Sequence, residues 1–588
     1  MIAQAIVSAF SAFLADPGGL LPPDALNDDL QDNLWGAGTH RGDLLNDAAI
    51  PDDPTRATII AVIDDAIPFA HEMLRTADGH SRVAAIWAQD ARPTPDSDLP
   101  FGREWPGRGI DAMLARLRDG TLPDEDALYR AAGVLDYGRG LRPSAGYAGG
   151  HGAAVAMLAA GFEAADPTGR DHPVIAVSLP SALTEDSMGV SAPPYILAAI
   201  LFVILRARQL CRHIEDRRGL TPHSLRMPVV INISYGLTAG PRDGSTLLEQ
   251  LMDALSRAGP HDLGPVRFVL PMGNHRQAML CGCLRPGQGM IWRLQPGDQT
   301  DSAVEIWGPV LTQAPARPFV LHLALPGSPP AATRFTHEGQ VSILRDGTGA
   351  EIARAYYLIQ RLPEGRGWRE GITVIAMPTS PESPADPWAP PGNWALRIDA
   401  AARIGDYEIS VQRDESIPGY PREARQSMLI DPGYRIWMDG GGMWRDDPQG
   451  PRSAVRRRGT LNAYGGGTET LRAGAAEWQQ PLWGTQQNGS IYSGLHGDGG
   501  NGDVQAVADR SSTVAGIPVA GRDSGSVRRS AGTSVAAPQL TRWLAREMAA
   551  GFRPDSRAEV IAQAWTAAPV AGGADAPVLA YALKYPEY

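Results

Sequence analysis

The hydrophobic pattern changes character along the chain, and each change marks a boundary. The opening segment, Met1-Ile-Ala-Gln-Ala-Ile-Val-Ser-Ala-Phe-Ser-Ala-Phe-Leu-Ala, spaces its apolar residues as an amphipathic helix closed by Asp16-Pro-Gly-Gly. Polar loop follows, so residues 1–54 read as an N-terminal extension. From Thr58 the pattern differs. Thr58-Ile-Ile-Ala-Val-Ile63, Val174–Leu179, Val229–Ile233 and Val266–Leu270 are unbroken apolar runs of strand length, as expected of strands covered on both faces. Ala153–Ala160, Tyr195–Asp216 and Leu247–Ala258 carry helical patterns between them. Strands alternating with helices predict an α/β fold, a parallel sheet flanked by helices.

Two blocks interrupt this alternation. Residues 88–145 hold two short helical patterns, Ile110–Arg118 and Glu125–Ala132, between Pro/Gly-rich loops. Residues 288–415 contain about seven short strand patterns, with hairpin chemistry at Asp346-Gly-Thr-Gly349, and predict an inserted β-sandwich domain. Residues 416–454 show no period and read as an irregular linker. The α/β domain is thus expected in two parts, 55–287 and 455–588.

Composition removes several chemistries. Of the 53 basic side chains only Lys584 is a lysine. A Walker phosphate loop, a Schiff base and a Ser–Lys dyad each need an interior lysine and are excluded. A net charge of −12 gives no footprint for nucleic acid. Three cysteines make no disulfide framework, and Cys281-x-Cys283 lacks the further ligands of a zinc site, so neither metal nor cofactor is expected. The longest apolar run, Tyr195 to Leu205, is too short for a span of about 20 residues. No Lys or Arg precedes Arg41, so the positive region of a signal peptide is missing. These features predict a cytoplasmic protein that does not enter a membrane.

Polar residues of one chemistry gather at element ends, where parallel sheets place their sites. Asp64 and Asp65 close the first strand. His151-Gly152 opens a helix after Ala148-Gly-Gly. Asn274 follows Gly273 beyond Val266–Leu270, and Ser534 opens a helix in Gly532-Thr-Ser-Val-Ala-Ala-Pro538.

These segments resemble those of subtilisin-like serine proteases, the subtilases of peptidase family S8. Val62-Ile-Asp64-Asp-Ala-Ile67 is similar to the family's Asp motif, with His71 at its usual downstream histidine, read here as a packing residue. His151-Gly-Ala-Ala-Val-Ala156 resembles the His motif, Ile231-Asn-Ile-Ser-Tyr-Gly236 the substrate-binding strand, Gly273-Asn274 the oxyanion segment, and Gly532–Pro538 the nucleophile motif. The resemblance covers roughly residues 55–285 and 455–575. It implies a hydrolase acting on a protein or peptide substrate, with Ser534 as nucleophile, His151 as general base and Asp64 orienting it. Asn274 would donate to the oxyanion, and Ser234, Tyr235 and Gly236 would bind substrate as an added strand. This sequence departs from the pattern at Asp65-Ala66, where a small hydroxyl residue and glycine are usual. It departs also at Ala153-Ala154, in place of Thr-His, and at Pro271-Met272, in place of small alanines. The segment before Thr58 is too short for the family's usual inhibitory propeptide. Restraint is therefore expected from the extension, the 88–145 insertion, the sandwich or a regulatory protein partner. The competing readings are a catalytically silent scaffold on the same fold and an esterase using the same groups. Two smaller motifs read as surface loops: Arg456-Arg-Arg458, against a processing site, and His496-Gly-Asp-Gly-Gly-Asn-Gly-Asp503, against a calcium loop.

Overall fold

In the computed structural model, the described residues are 44–567 and 578–579, apart from 94–98, 136–149, 186–187, 190, 317, 329, 400–404, 417–422, 440–442, 445, 449–452, 478–491, 494–501 and 511–515. The helix expected at the N-terminus and most of the His496–Asp503 stretch lie outside them.

Nine strands form the main sheet: β1 (Ile59–Asp65), β2 (Val83–Ala88), β3 (Arg103–Pro106), β4 (Val174–Leu179), β5 (Val229–Ile233), β6 (Val266–Pro271), β7 (Leu471–Glu477), β8 (Val504–Asp509) and β9 (Val578–Leu579). Their order is β9-β8-β7-β6-β5-β1-β4-β2-β3. All neighbours run parallel except the edge pair β2–β3. The central strands are apolar throughout because successive residues enter different cores. Ile60 and Val62 of β1 pack with the core on one side, whereas Ile59, Ala61 and Ile63 pack with the core on the other.

Six helices matter for the site and its support: α1 (Gly107–Arg116), α2 (Glu125–Ala131), α3 (His151–Ala160), α4 (Pro193–Arg218), α5 (Leu247–Arg257) and α6 (Thr533–Ala549). Helices α3 and α6 cover one face of the sheet; α4 and α5 cover the other. Helix α4 is the one among the described residues long and apolar enough to cross a bilayer, and most of it is buried against the sheet. It stops at Gly219, whose φ of 62° supplies the left-handed turn that ends helices at low cost. Arg206 of α4 makes a two-pronged pair with Glu104 of β3, at 2.7 and 2.6 Å, which ties the helix to the sheet edge. Residues 44–50 are not free of the domain. Leu44, Leu45 and Ile50 are buried in the α4–α5 core.

Between β6 and β7 the chain builds two antiparallel sheets. One has five strands, in the order 331–335, 319–324, 392–399, 289–294 and 428–430; the other has seven, from 341–345 at one edge to 281–284 and 455–456 at the other. The sheets therefore draw on Cys281–Leu284, Met428–Ile430 and Val455–Arg456, beyond the 288–415 span expected from pattern. Each of these segments is two to four residues long, and too short a run shows no period. Trp292 and Trp394 meet edge to face with ring centroids 5.7 Å apart, and Trp307 is also buried, so these tryptophans are core residues. The seven-stranded sheet is joined to the loop after β5. Gln412 Oε1 accepts from the Thr238 amide at 2.9 Å, and Arg369 pairs with Asp243 at 2.9 Å.

Arg456-Arg-Arg458 is not a solvated loop. Arg457 is buried over the Tyr434 ring, 4.3 Å from its centroid, and donates to Gln277, while Arg458 pairs with Asp446 at 2.7 Å. Bonded acceptors and an aromatic face are what let guanidinium groups leave water here.

Candidate active site

Strand β1 delivers two adjacent carboxylates, and the start of α3 lies against them. Asp64 Oδ1 accepts the backbone N–H of Asp65 at 2.8 Å and lies 2.7 Å from His151 Nδ1. Asp64 is 4% exposed, while the His151 side chain is 40% exposed. One ring edge is thus fixed on a buried carboxylate and the other is turned outward. The close approach requires glycine at the next position. A Cβ on Gly152 would sit 1.6 Å from the Asp65 carbonyl oxygen and 3.3 Å from Asp64 Oδ1. Burial lowers the proton affinity of His151, but the charge and hydrogen bond of Asp64, with Asp65 behind them, more than offset it. The pKa of His151 is raised above its ordinary value.

Asp65 competes with Asp64 in the sequence for the carboxylate that orients the base, and in the structure it makes a different contact. Its Oδ1 accepts the Gly152 amide at 2.8 Å and so occupies the N-terminus of α3. Burial, with the neighbouring Asp64 charge, raises its pKa to about 6. Asp64 Oδ2 is buried and has no donor among the described residues, so a proton held by Asp65 has an acceptor beside it. Asp64, Asp65 and His151 are also the one group of metal-ligating side chains that converges among the described residues, within 4.8 Å. His151 Nδ1 is already committed to Asp64. After Asp65 the backbone is strained. Ala66 has φ of 37°, a left-handed conformation costing a side-chain-bearing residue roughly 1–3 kcal/mol.

A raised carboxyl pKa works against the folded state once the group ionises. The resulting stability is present below about pH 4 and is lost as pH rises through about 6. Asp65→Asn keeps the acceptor for Gly152 and removes the charge. It is expected to raise the melting temperature at pH 7.5 and to have little effect at pH 4, which calorimetry at the two pH values checks.

Ser534 is the second residue of α6, the helix that packs beside α3 in the same core. Gly532 precedes it with φ of 106°, and a Cβ there would lie 3.0 Å from Asn274 Nδ2. Ser534 is partly exposed and Asn274 is exposed. Asn274 is oriented by the residue between them. Its Oδ1 accepts both the Thr533 amide and the Thr533 hydroxyl, each at 2.9 Å, which turns the amide nitrogen the other way. The same hydroxyl accepts from the Gly273 amide at 3.0 Å.

The segment after β5 is anchored from below. Ser234 Oγ accepts from Asn232 Nδ2 at 3.0 Å and donates to the Ser534 carbonyl at 3.3 Å, and Thr541 Oγ1 donates to Asn232 Oδ1 at 3.2 Å. This chain ties the end of β5 to the first and third turns of α6. Asn462 holds Tyr235, donating to its carbonyl at 3.1 Å. His71 takes a structural place. It is 1% exposed, its Nδ1 accepts from the Met73 amide at 3.1 Å, and burial lowers its pKa to about 4.

Asp64 and His151 are therefore hydrogen-bonded. Asn274, Ser234 and Ser534 are linked through Thr533 and the Ser534 carbonyl, and Tyr235 and Gly236 line the adjoining segment. Thr533, Asn232, Thr541 and Asn462 were not singled out from sequence. Thr533 and Asn232 lie inside the Gly-Thr-Ser and Ile231–Gly236 motifs and could have been; Thr541 and Asn462 reach their partners across about two to three hundred residues.

Sheet, flanking helices and inserted antiparallel sheets define a mixed α/β fold of a kind already seen in a protease. The chain is similar to the CspB protease of Clostridium perfringens, with a TM-score of 0.54 over 97% of this chain and 95% of that one, at 15% identity. At that identity the likeness concerns the fold. No protein-family model and no curated protein matches the chain.

Proposed function

We propose that this chain is a subtilisin-like serine endopeptidase. The observation that carries the reading is the 2.7 Å contact between buried Asp64 and His151, whose ring is 40% exposed on the helix packed beside that of Ser534. The fold shared with a protease supports it.

On this reading His151 Nε2 takes the Ser534 hydroxyl proton as Oγ attacks the scissile carbonyl. Asp64 holds the ring in the tautomer with a proton on Nδ1 and stabilises the imidazolium as it forms. The developing oxyanion would be met by Asn274 Nδ2, aimed by Thr533, and by the Ser534 amide, one of the first helix N–H groups with no partner inside its own helix. Collapse of the tetrahedral species returns the proton from His151 to the leaving amine. Water then repeats the sequence on the acyl-enzyme. The substrate backbone would lie along Ser234–Gly236 as an added strand.

The reading is tested by incubating the purified chain with a peptide pool and identifying new termini by mass spectrometry. Cleavage at defined bonds is expected. No cleavage by a folded protein, before or after addition of cell extract, favours the scaffold alternative. Asn274→Ala is expected to lower kcat by about 10²–10³-fold with KM little changed, since its donor acts on charge that appears only in the transition state.

A further inference from the structure

Asn462 occupies an unusual place. Strands β5 and β6 are parallel neighbours, with Asn232 opposite Val269, and beyond them the chain continues as Ser234–Gly236 on one side and Pro271–Asn274 on the other. The side chain of Asn462 bridges these two segments. Its Nδ2 donates to the Tyr235 carbonyl at 3.1 Å and to the Pro271 carbonyl at 3.0 Å, and its Oδ1 accepts the Tyr464 amide at 3.1 Å. Its backbone is fixed as well. The Asn462 amide donates to the Met272 carbonyl at 2.8 Å, and the Ala463 amide to the Leu237 carbonyl at 2.9 Å. The residue is 3% exposed, and both of its side-chain N–H groups and its oxygen are used.

Two consequences follow for the slot between the segments. First, two carbonyl oxygens bonded to one nitrogen at 3.1 and 3.0 Å are within about 6 Å of each other. A flat ring between facing walls needs about 7 Å, one contact of about 3.5 Å on each side. Second, the carboxamide itself fills the remaining space, since a Cβ added to Gly236 would lie 2.2 Å from Asn462 Nδ2. Met272 does not open a way round it, being fully buried. Rotating Asn462 away would take its donor from the buried Pro271 carbonyl and break the contacts to Tyr235 and Tyr464, so the floor is fixed.

We propose that Asn462 limits this endopeptidase to small side chains, those of Gly, Ala and Ser, at the residue preceding the scissile bond. The proposal rests on the function proposed above. With the substrate chain on Ser234–Gly236 and its scissile carbonyl between Asn274 and Ser534, the preceding side chain points into the slot that Asn462 closes. Asn462 is then a specificity-determining residue that takes no part in the bond-making steps.

The test uses the full chain and quenched peptides that differ only at that residue, with a small fluorophosphonate probe run in parallel. Probe labelling at Ser534, with kcat/KM for Ala at least about 50-fold above that for Phe or Leu, is the expected result. This is the range that steric exclusion of side-chain carbons gives. Labelling with a preference for Phe, Leu or Met overturns the slot proposal and leaves the function standing. No labelling and no turnover overturn both. Asn462→Gly is expected to lower the Ala-to-Leu ratio at least tenfold while labelling persists. Should the glycine variant not fold, the wild-type profile alone decides.

Discussion

Removing the imidazole, as in His151→Ala, is expected to lower kcat by about six orders of magnitude with the fold intact. The size follows from the way a nucleophile and its base act as a unit. Without the base the Ser534 hydroxyl keeps its proton and is a poor nucleophile, and the leaving amine has no acid to protonate it. Losses of this kind are not additive: His151→Ala, Ser534→Ala and the double variant are expected to reach the same residual rate. That rate remains about 10³–10⁴-fold above the uncatalysed reaction, through oxyanion donors and substrate binding. Single-turnover kinetics on a cleavable peptide measure all three, with thermal melting as the control for folding. A double variant much slower than either single one would mean that the two residues act separately.

The second large effect belongs to Asp64→Asn, expected to cost about 10⁴-fold in kcat. The change is isosteric, and the carboxamide oxygen it introduces can still accept the Asp65 amide that Asp64 Oδ1 now takes at 2.8 Å. What disappears is the charge that raises the His151 pKa and favours the ring in its protonated form. The acidic limb of the kcat/KM profile should therefore move to lower pH in this variant, together with the fall in rate. A loss of rate with an unmoved limb would count against Asp64 as the partner of the base. Asp65→Asn is predicted to move the same limb in the same direction by less, because Asp65 acts on His151 by charge alone.

The sheet was legible wherever strands are buried on both faces by large aliphatic residues. Val174–Leu179 and Val229–Ile233 coincide with β4 and β5 to the residue. Strand β7, Leu-Arg-Ala-Gly-Ala-Ala-Glu, was not legible because alanine and glycine carry little strand preference. Only its place between β6 and β8 makes it a strand. The polar site was legible as motifs, since Asp64, His151, Asn274 and Ser534 each stand at an element end. Their supports were not. Asn462 reaches Tyr235 across 227 residues and Thr541 reaches Asn232 across 309, distances at which one sequence carries no pattern. Asp65 was visible as a departure from the family motif, but its effect needed the position of Gly152 over its carboxylate.

Glu125 of α2, in the 88–145 insertion, accepts the Ser524 amide at 2.9 Å, and Arg528 in the strand just before Gly532 donates to the Gly150 carbonyl at 2.8 Å. The insertion thus contacts the segment that leads to Ser534, and that segment in turn contacts the entry of α3.

The central claim is that Ser534 is an activated nucleophile, and covalent labelling by a fluorophosphonate tests it most directly. The account predicts labelling of the purified, folded chain at Ser534, slowed strongly in His151→Ala and absent in Ser534→Ala. Labelling that persists in Ser534→Ala, or its absence from a folded wild-type chain, would contradict it.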